Sequence, residues 1–205
     1  MNCSAEEIRI HQTLLVGAHE TSALLADAIA RVGPVSLRRP DGHGLGHFLA
    51  RAIIGQQLSA KAARSIWDRV TTAARRTDVG ILEFADDFVD DLRACGVSAS
   101  KLKALQYVSA AQRDGTLCEP LLKKLKPEEK IQRLMSIHGV GPWTCDMALI
   151  FYFHLPDVWP EGDVAVQRTF KRLIGRRKPK KAVARFAPYR SYLALSMWRL
   201  VDASP

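Results

Sequence analysis

Apolar residues recur three and four positions apart along almost the whole chain, the spacing that lines one face of an α-helix. Leu24, Leu25, Ala28 and Ile29 make one such stripe, ahead of Gly33-Pro34, a pair that stops a helix. Before it, Ser4 and Glu7 stand in the spacing of a capping box, which opens a first helix. Residues Val35 to Gly46 read as a loop rich in Gly and Arg, and His47 to Ile54 as a short helix broken at Gly55. Ser59 is an N-cap for a helix whose stripe is Ala63, Ile66, Trp67 and Val70. Phe84 to Cys95 is a further helix, closed by Gly96. Lys101 to Arg113 follows, with Leu102, Leu105, Val108 and Ala111 facing inward, and Pro127 opens a helix over 128–136. Trp143 to Phe153, Val164 to Ile174 and Tyr189 to Val201 complete the pattern. Strict alternation and hairpin dipeptides are missing, so the periodicity predicts an all-α fold of about nine or ten helices with short connections.

One of those connections carries chemistry. In Leu134-Met-Ser-Ile-His-Gly-Val-Gly-Pro-Trp-Thr-Cys145 a helix ends, Gly139-Val140-Gly141 turn, and Pro142 begins another. Two glycines in three residues permit positive φ and close approach of a ligand to the backbone. The amides that open the second helix have no carbonyl partner behind them and attract an anion. Gly139, Val140, Gly141 and Thr144 are therefore candidates to hold a phosphodiester; an ordinary tight turn is the plainer alternative.

Charge raises the weight of the first reading. The 205 residues hold 30 Lys+Arg against 21 Asp+Glu, a net +9, with a pI near 9.7, and such a field favours polyanions: nucleic acid or an anionic membrane surface. With 47% hydrophobic residues there is a sizeable core, enough for one domain or two packed subdomains. Met147 to Phe153, the longest apolar run, is too short to span a membrane, and the N-terminus lacks the shape of a secretory signal. A soluble intracellular protein is expected. Cys3, Cys95, Cys118 and Cys145 form no CxxC pair and read as reduced core thiols rather than a zinc, iron–sulfur or disulfide framework. His43 and His47 lie i, i+4 in a glycine-broken loop with no carboxylate beside them, a poor metal site. Arg176-Arg-Lys-Pro-Lys-Lys181 reads either as a solvated loop or as a grip on phosphate, and Lys101 and Lys103 likewise as solvated or phosphate-facing.

Asp163 stands between Pro160-Glu161-Gly162 and the apolar start Val164-Ala-Val, the position of a helix N-cap. On local sequence alone a cap is the better reading. Glu161 and Asp157 lie nearby and read as solvated loop carboxylates.

Several blocks together resemble a known family. Gly-Val-Gly-Pro-Trp-Thr-Cys145 resembles the hairpin of the helix-hairpin-helix DNA glycosylase superfamily, and Trp159-Pro-Glu-Gly-Asp-Val-Ala-Val-Gln167 its Gly/Pro…Asp loop. Phe48-Leu-Ala-Arg-Ala-Ile-Ile-Gly-Gln-Gln-Leu-Ser59, Gly96 to Leu105 and Pro188 to Trp198 are similar to the 3-methyladenine DNA glycosylase II family. The likeness runs in order from about Leu24 to Trp198.

The resemblance implies two packed helical subdomains with a DNA cleft between them and no N-terminal β domain. Residues 34–154 would form the lobe carrying hairpin 134–145, and 1–33 with 155–205 the second. It implies a monofunctional enzyme that excises alkylated purines, of 3-methyladenine or 7-methylguanine type, from damaged double-stranded DNA in base excision repair. Asp163 becomes the catalytic carboxylate, since breaking an N-glycosidic bond builds positive charge on the sugar. Position 143, where bifunctional relatives carry Lys, is Trp143, so no Schiff base and no strand cleavage are expected. Trp143, Trp198 and Tyr189 are the base-pocket candidates, with Tyr192 behind them; Gln57, then Leu58, is the wedge that fills the gap left by a flipped nucleotide. The resemblance also implies a monovalent cation, Na+ or K+, on the backbone carbonyls of Met135, Ile137 and Val140, and no cofactor for catalysis. A monomer working on DNA in cytoplasm, nucleoid or nucleus follows, with no membrane partner. The alternatives left open are a non-catalytic DNA-binding hairpin protein, a bifunctional glycosylase/lyase, a glycosylase for deaminated or etheno-purines, and a basic helical protein for membranes or protein partners.

Overall fold

The computed structural model describes residues 4–37, 43–77 and 80–203. Cys3 and Arg38–Gly42 of the expected loop lie outside them. Among the described residues every regular element is a helix: α1 (Ala5–Thr21), α2 (Ala23–Val32), α3 (Leu45–Gly55), α4 (Ala60–Thr77), α5 (Ile81–Asp87), α6 (Val89–Ala94), α7 (Ala99–Arg113), α8 (Glu119–Lys124), α9 (Pro127–Met135), α10 (Pro142–Met147), a π-helical turn (Ala148–Tyr152), α11 (Val164–Ile174), α12 (Pro179–Ala184) and α13 (Arg190–Asp202). None of them is long and apolar enough to cross a membrane.

The chain divides into two compact units, Met1–Pro40 with Leu149–Pro205, and Asp41–Ala148. In the first, α1, α2, α11 and α13 bury one core. Ile10 and Leu14 of α1, Leu25 and Ile29 of α2, Phe170 of α11 and Leu193 and Met197 of α13 meet there, each almost wholly shielded. Burying an aliphatic or Phe side chain contributes about 1.5–3 kcal/mol, so this cluster holds the loop that carries Asp163. Phe186 closes the cluster edge-on to Phe170, with ring centroids 6.3 Å apart. Leu24, expected on the buried stripe of α2, is 63% exposed; α2 buries Leu25, Ala26, Ala28 and Ile29 instead.

In the second unit, α7 packs against α3 and α5. The four inward residues expected of α7, Leu102, Leu105, Val108 and Ala111, are buried. On α4 only Val70 of the expected stripe is buried; Ala63, Ile66 and Trp67 are half-buried, and Trp67 lies edge-on to His47 at 5.0 Å. His43 also lies against His47, the rings 4.1 Å apart and tilted by 32°.

Capping residues set the boundaries. Ser4 and Glu7 form the reciprocal box, Ser4 N donating to Glu7 Oε2 at 2.8 Å and Glu7 N to Ser4 Oγ at 3.2 Å. Ser59 Oγ accepts from Ala62 N at 3.2 Å and starts α4. After α6, Gly96 takes φ +96°, and the amides of Gly96 and Val97 return to Arg93 O and Leu92 O, a Schellman ending. The single helix expected over Phe84–Cys95 is broken at Phe88 (φ −121°, ψ 52°) into α5 and α6. Two short helices, α8 and α12, occupy stretches read as connections. Of the cysteines, Cys95 and Cys145 are buried and Cys118 is exposed, so Cys118 is not a core thiol.

Candidate active site

The hairpin runs from α9 through residues 136–141 into α10. Leu134 and Ile137 anchor it from inside. Ser136 N returns to Gln132 O, Ile137 N to Leu134 O and Val140 N to Ile137 O, each at 3.0–3.1 Å, so the turn is closed by its own backbone. Gly139 has φ +89°, and a Cβ there would lie 2.2 Å from Ala104 Cβ of α7. No other residue fits that place, on conformation or on space. Gly141, the N-cap of α10, has ordinary dihedrals (φ −88°, ψ 178°), and a Cβ there would meet nothing within 4 Å.

Two of the expected phosphate residues keep their side chains inside. Thr144 is only 1% exposed, and its Oγ1 accepts from Gln56 Nε2 at 2.8 Å, so it presents no side chain to an outside anion. Val140 is buried, and its amide already donates within the turn. Gly139 and Gly141 carry no side chain over the turn, and the first-turn amides of α10 open beside them.

Residues Gln56 to Leu58 follow the end of α3. Gln57 is exposed with φ +57°, a backbone conformation uncommon outside glycine, and Leu58 is 38% exposed. Both border an open groove of about 410 Å³ shared with Ser98, Ser100, Lys101, Ala104, His138 and Gly139. The structure thus brings the two wedge candidates and the hairpin to one groove. Lys101 is not a solvated cation: its Nζ donates to Ile54 O at 2.8 Å and Gln56 O at 2.9 Å, and burial lowers its pKa. Trp143 is half-buried in the first turn of α10.

Asp163 caps α11. Its Oδ1 accepts from Val166 N at 2.9 Å, its own amide donates to Pro160 O at 3.1 Å, and the residue is 8% exposed. Gln167 Nε2 also donates to Pro160 O, at 3.0 Å, which ties residues 160–163 to the first helical turn. The next residue, Val164, is an apolar side chain left 79% exposed. Glu161 is exposed. Asp157, read as a solvated loop residue, is corrected: Arg190 Nε and Nη2 donate to its two oxygens at 2.6 and 2.8 Å, and Arg190 N to Oδ1 at 3.3 Å. The guanidinium holds the Asp157 carboxyl below its ordinary pKa.

The aromatic candidates of the first unit are partly buried. Trp198 lies against Phe151 with ring centroids 5.3 Å apart, and Tyr189 lies edge-on to Tyr192 at 6.2 Å. Trp159 packs edge-on against Phe170 at 5.1 Å and belongs to the core. Of the basic run, Arg177 Nη1 donates to Ile174 O at 3.2 Å, and residues from Pro179 form α12 rather than a loop.

Sequence reasoning missed Gln56, and it read Lys101 as solvated or phosphate-facing where its Nζ instead donates to the end of α3. Neither carries a local signal: which of two adjacent glutamines faces inward depends on where α3 ends and what stands across from it.

Residues 50–188 match the HhH-GPD superfamily of base excision DNA repair proteins. The chain belongs to this superfamily. The matched range of this HhH-GPD protein takes in Gln56–Leu58, the hairpin and Asp163, and stops short of Tyr189 and Trp198. It is 32% identical over 161 residues to DNA-3-methyladenine glycosylase 1 of Schizosaccharomyces pombe, covering 74% of this chain and 70% of that one. Its fold is similar to the crystal structure of a Schizosaccharomyces pombe 3-methyladenine DNA glycosylase in complex with abasic DNA, with a TM-score of 0.80 and 26% identity over 96% of this chain and 98% of that one. It is also similar to a DNA-3-methyladenine glycosidase from Bacillus halodurans, with a TM-score of 0.71 and 28% identity over 94% and 89% of the two chains.

Proposed function

We propose that this protein is a monofunctional DNA glycosylase that hydrolyses the N-glycosidic bond of alkylated purines, of the 3-methyladenine or 7-methylguanine type, in double-stranded DNA. The observation that carries the reading is the HhH-GPD match over residues 50–188, which holds the hairpin and Asp163 in one range. The relatives' names supply the substrate class.

In this reading the hairpin grips a phosphodiester through the backbone of Gly139 and Gly141, without reading a base. Gln57, or Leu58 in its place, fills the stack when the damaged nucleotide turns out. Trp143, Trp198 and Tyr189 are each proposed as a stacking face for the base, since a cationic methylpurine gains from an electron-rich ring. As the C1′–N bond breaks, its electron pair goes to the base. A cationic methylpurine leaves as a neutral molecule and needs no proton. The Asp163 carboxylate faces the positive charge that develops on the sugar. Water then adds to C1′ and gives up one proton, with Asp163 as the acceptor. The backbone stays intact: position 143 offers no amine, and the Lys101 amine is held by two carbonyls.

A monovalent cation on the hairpin would be held by hard oxygen donors, the carbonyls of Met135, Ile137 and Val140. Ile137 O accepts one amide and keeps a second lone pair. When bound, the ion adds positive charge near the phosphodiester. The working form is a monomer on DNA inside the cell.

The test is release of methylpurines from methylated duplex DNA by the parent and by Asp163→Asn, with strand cleavage followed in parallel. Release by the parent alone, without nicking, is the expected result. Equal release by Asp163→Asn would mean another carboxylate does the work. Release only from hypoxanthine- or ethenopurine-containing duplex would move the substrate class, and binding without any release would leave a DNA-binding protein.

A further inference from the structure

Gln56 is half-buried beside the groove and joins three pieces of the site. It is the C-cap of α3, the last residue before Gln57 and Leu58. Its Nε2 has two protons and uses them on two parts of the hairpin, Gly139 O at 3.1 Å and Thr144 Oγ1 at 2.8 Å. The first acceptor lies in the turn, the second in α10. Since a carbonyl oxygen can only accept, Gly139 fixes which way the amide points. The backbone of the same residue is held from the other side: Lys101 Nζ donates to Gln56 O at 2.9 Å and to Ile54 O at 2.8 Å, a cation placed on the carbonyl end of α3. Three residues on, one turn along α7, Ala104 is the side chain that presses on Gly139. Thus α7 supports both α3 and the hairpin, and Gln56 bridges them.

The consequence is mechanical. Gln57 leaves this clamped residue with φ +57°, so its direction is set by the backbone of Gln56. From the geometry we infer that Gln56 is a positioning residue, with Lys101 as its support. It fixes the wedge residues relative to the phosphate-holding hairpin, so that gripping the backbone and filling the vacated stack occur in one register. This rests on the glycosylase reading given above, and it adds a residue that acts through its neighbours.

A register between wedge and grip matters where there is a stack to fill. It therefore governs base release from duplex DNA and not from a single strand, where nothing must be displaced. Gln56→Met keeps length and bulk and removes both hydrogen bonds; Lys101→Met removes the support by a separate route. The experiment is single-turnover release of 7-methylguanine by parent, Gln56→Met and Lys101→Met, on the same methylated oligonucleotide as a duplex and as a single strand. Thermal melting of each variant checks that it folds. The expected result is a loss of about tenfold or more on the duplex, the scale of a small misplacement, with single-strand release within about twofold of the parent. The loss should also vanish in a Gln57→Ala/Leu58→Ala background, because residues that act through one another are not additive. Unchanged duplex release in both variants overturns the inference. So does an equal loss on both substrates, which marks a merely structural residue, or a full loss that persists without the wedge. A parent that releases no base from either substrate fails the glycosylase reading itself, and the inference falls with it. If Gln56→Met does not fold, Lys101→Met decides.

Discussion

At the scale of single residues, two aspartates six positions apart do different work for reasons that geometry makes plain. Asp163 is at once cap and proposed catalyst, and the two roles separate by substitution. Asn keeps an oxygen for Val166 N, so Asp163→Asn should melt within a degree or two of the parent while base release falls by a factor of about 10² or more. Asp163→Ala loses the cap as well, and urea unfolding should show it weaker by about 1 kcal/mol. Asp157 is structural, joined to Arg190 by a two-pronged pair that is about one-third exposed. Its pKa is depressed on folding, so its contribution is complete above the ordinary carboxylate pKa and disappears as pH falls through the lower folded value. Asp157→Asn should cost about 1 kcal/mol at pH 7, a figure kept small by solvent screening, and variant and parent should converge in stability in acid, once pH has fallen through the lowered folded pKa. Urea midpoints at pH 7 and in acid check both points. The cap at Asp163 was legible because an N-cap is a local pattern, with Gly162 before it and an apolar turn after it. The Asp157–Arg190 pair was not, because its members lie 33 residues apart in the chain.

At the scale of elements, the two glycines of the hairpin look alike in sequence and are not alike in structure. Gly139 needs both a positive φ and the absence of a Cβ against Ala104. Gly139→Ala should therefore destabilise the fold by about 1–3 kcal/mol and disturb the turn, lowering Tm and DNA affinity together. Gly141 has neither constraint. Gly141→Ala should leave Tm unchanged, and any loss in affinity for an abasic duplex then reports how closely a phosphate approaches that backbone. A fall in Tm for Gly141→Ala would place hidden packing there. The helices with long apolar stripes and capped ends, such as α7 and α11, were read from spacing with ends close to those observed. What escaped was governed by contacts rather than spacing. No Gly or Pro marks the break at Phe88. Asp86, just ahead of it, reaches across to Ser109 and Arg113 of α7, a partnership the local pattern does not contain. α8 and α12 are six residues each, too short for a stripe to repeat. The stripe of α4 was right in phase and overdrawn in depth, because Val70 alone of its four residues is buried.

At the scale of the whole molecule, a net charge of +9 and the proposed backbone grip of the hairpin would contribute to binding DNA in two different ways, and salt separates them. Each phosphate met by a Lys or Arg releases counterions and steepens the fall of log Kobs with log salt by about 0.9. In the proposed grip the glycine amides bring no charge of their own, and a cation on the carbonyls of Met135, Ile137 and Val140 is left in place by a change at Gly141. Gly141→Ala is thus expected to lower affinity by the same factor at every salt concentration, leaving the slope of the parent. The basic run behaves otherwise. Arg177 is engaged with Ile174 O, and Arg185 pairs with Glu20 at 3.2 Å; Lys178 and Lys181 border the same groove, and Lys180 lies exposed between them. Replacing Lys178, Lys180 and Lys181 by Gln removes three charges, and the slope should become shallower by about 0.9 for each that meets a phosphate. Base release at saturating protein should stay that of the parent, since the lysines are not part of the proposed chemistry. Fluorescence titrations on an undamaged duplex between low and physiological salt read both quantities. A triple variant with the slope of the parent would make the run a solvated face, and the steepness would then have to come from cations elsewhere on the molecule. A Gly141→Ala variant with a shallower slope would mean that the change also displaces the cation proposed on the neighbouring carbonyls.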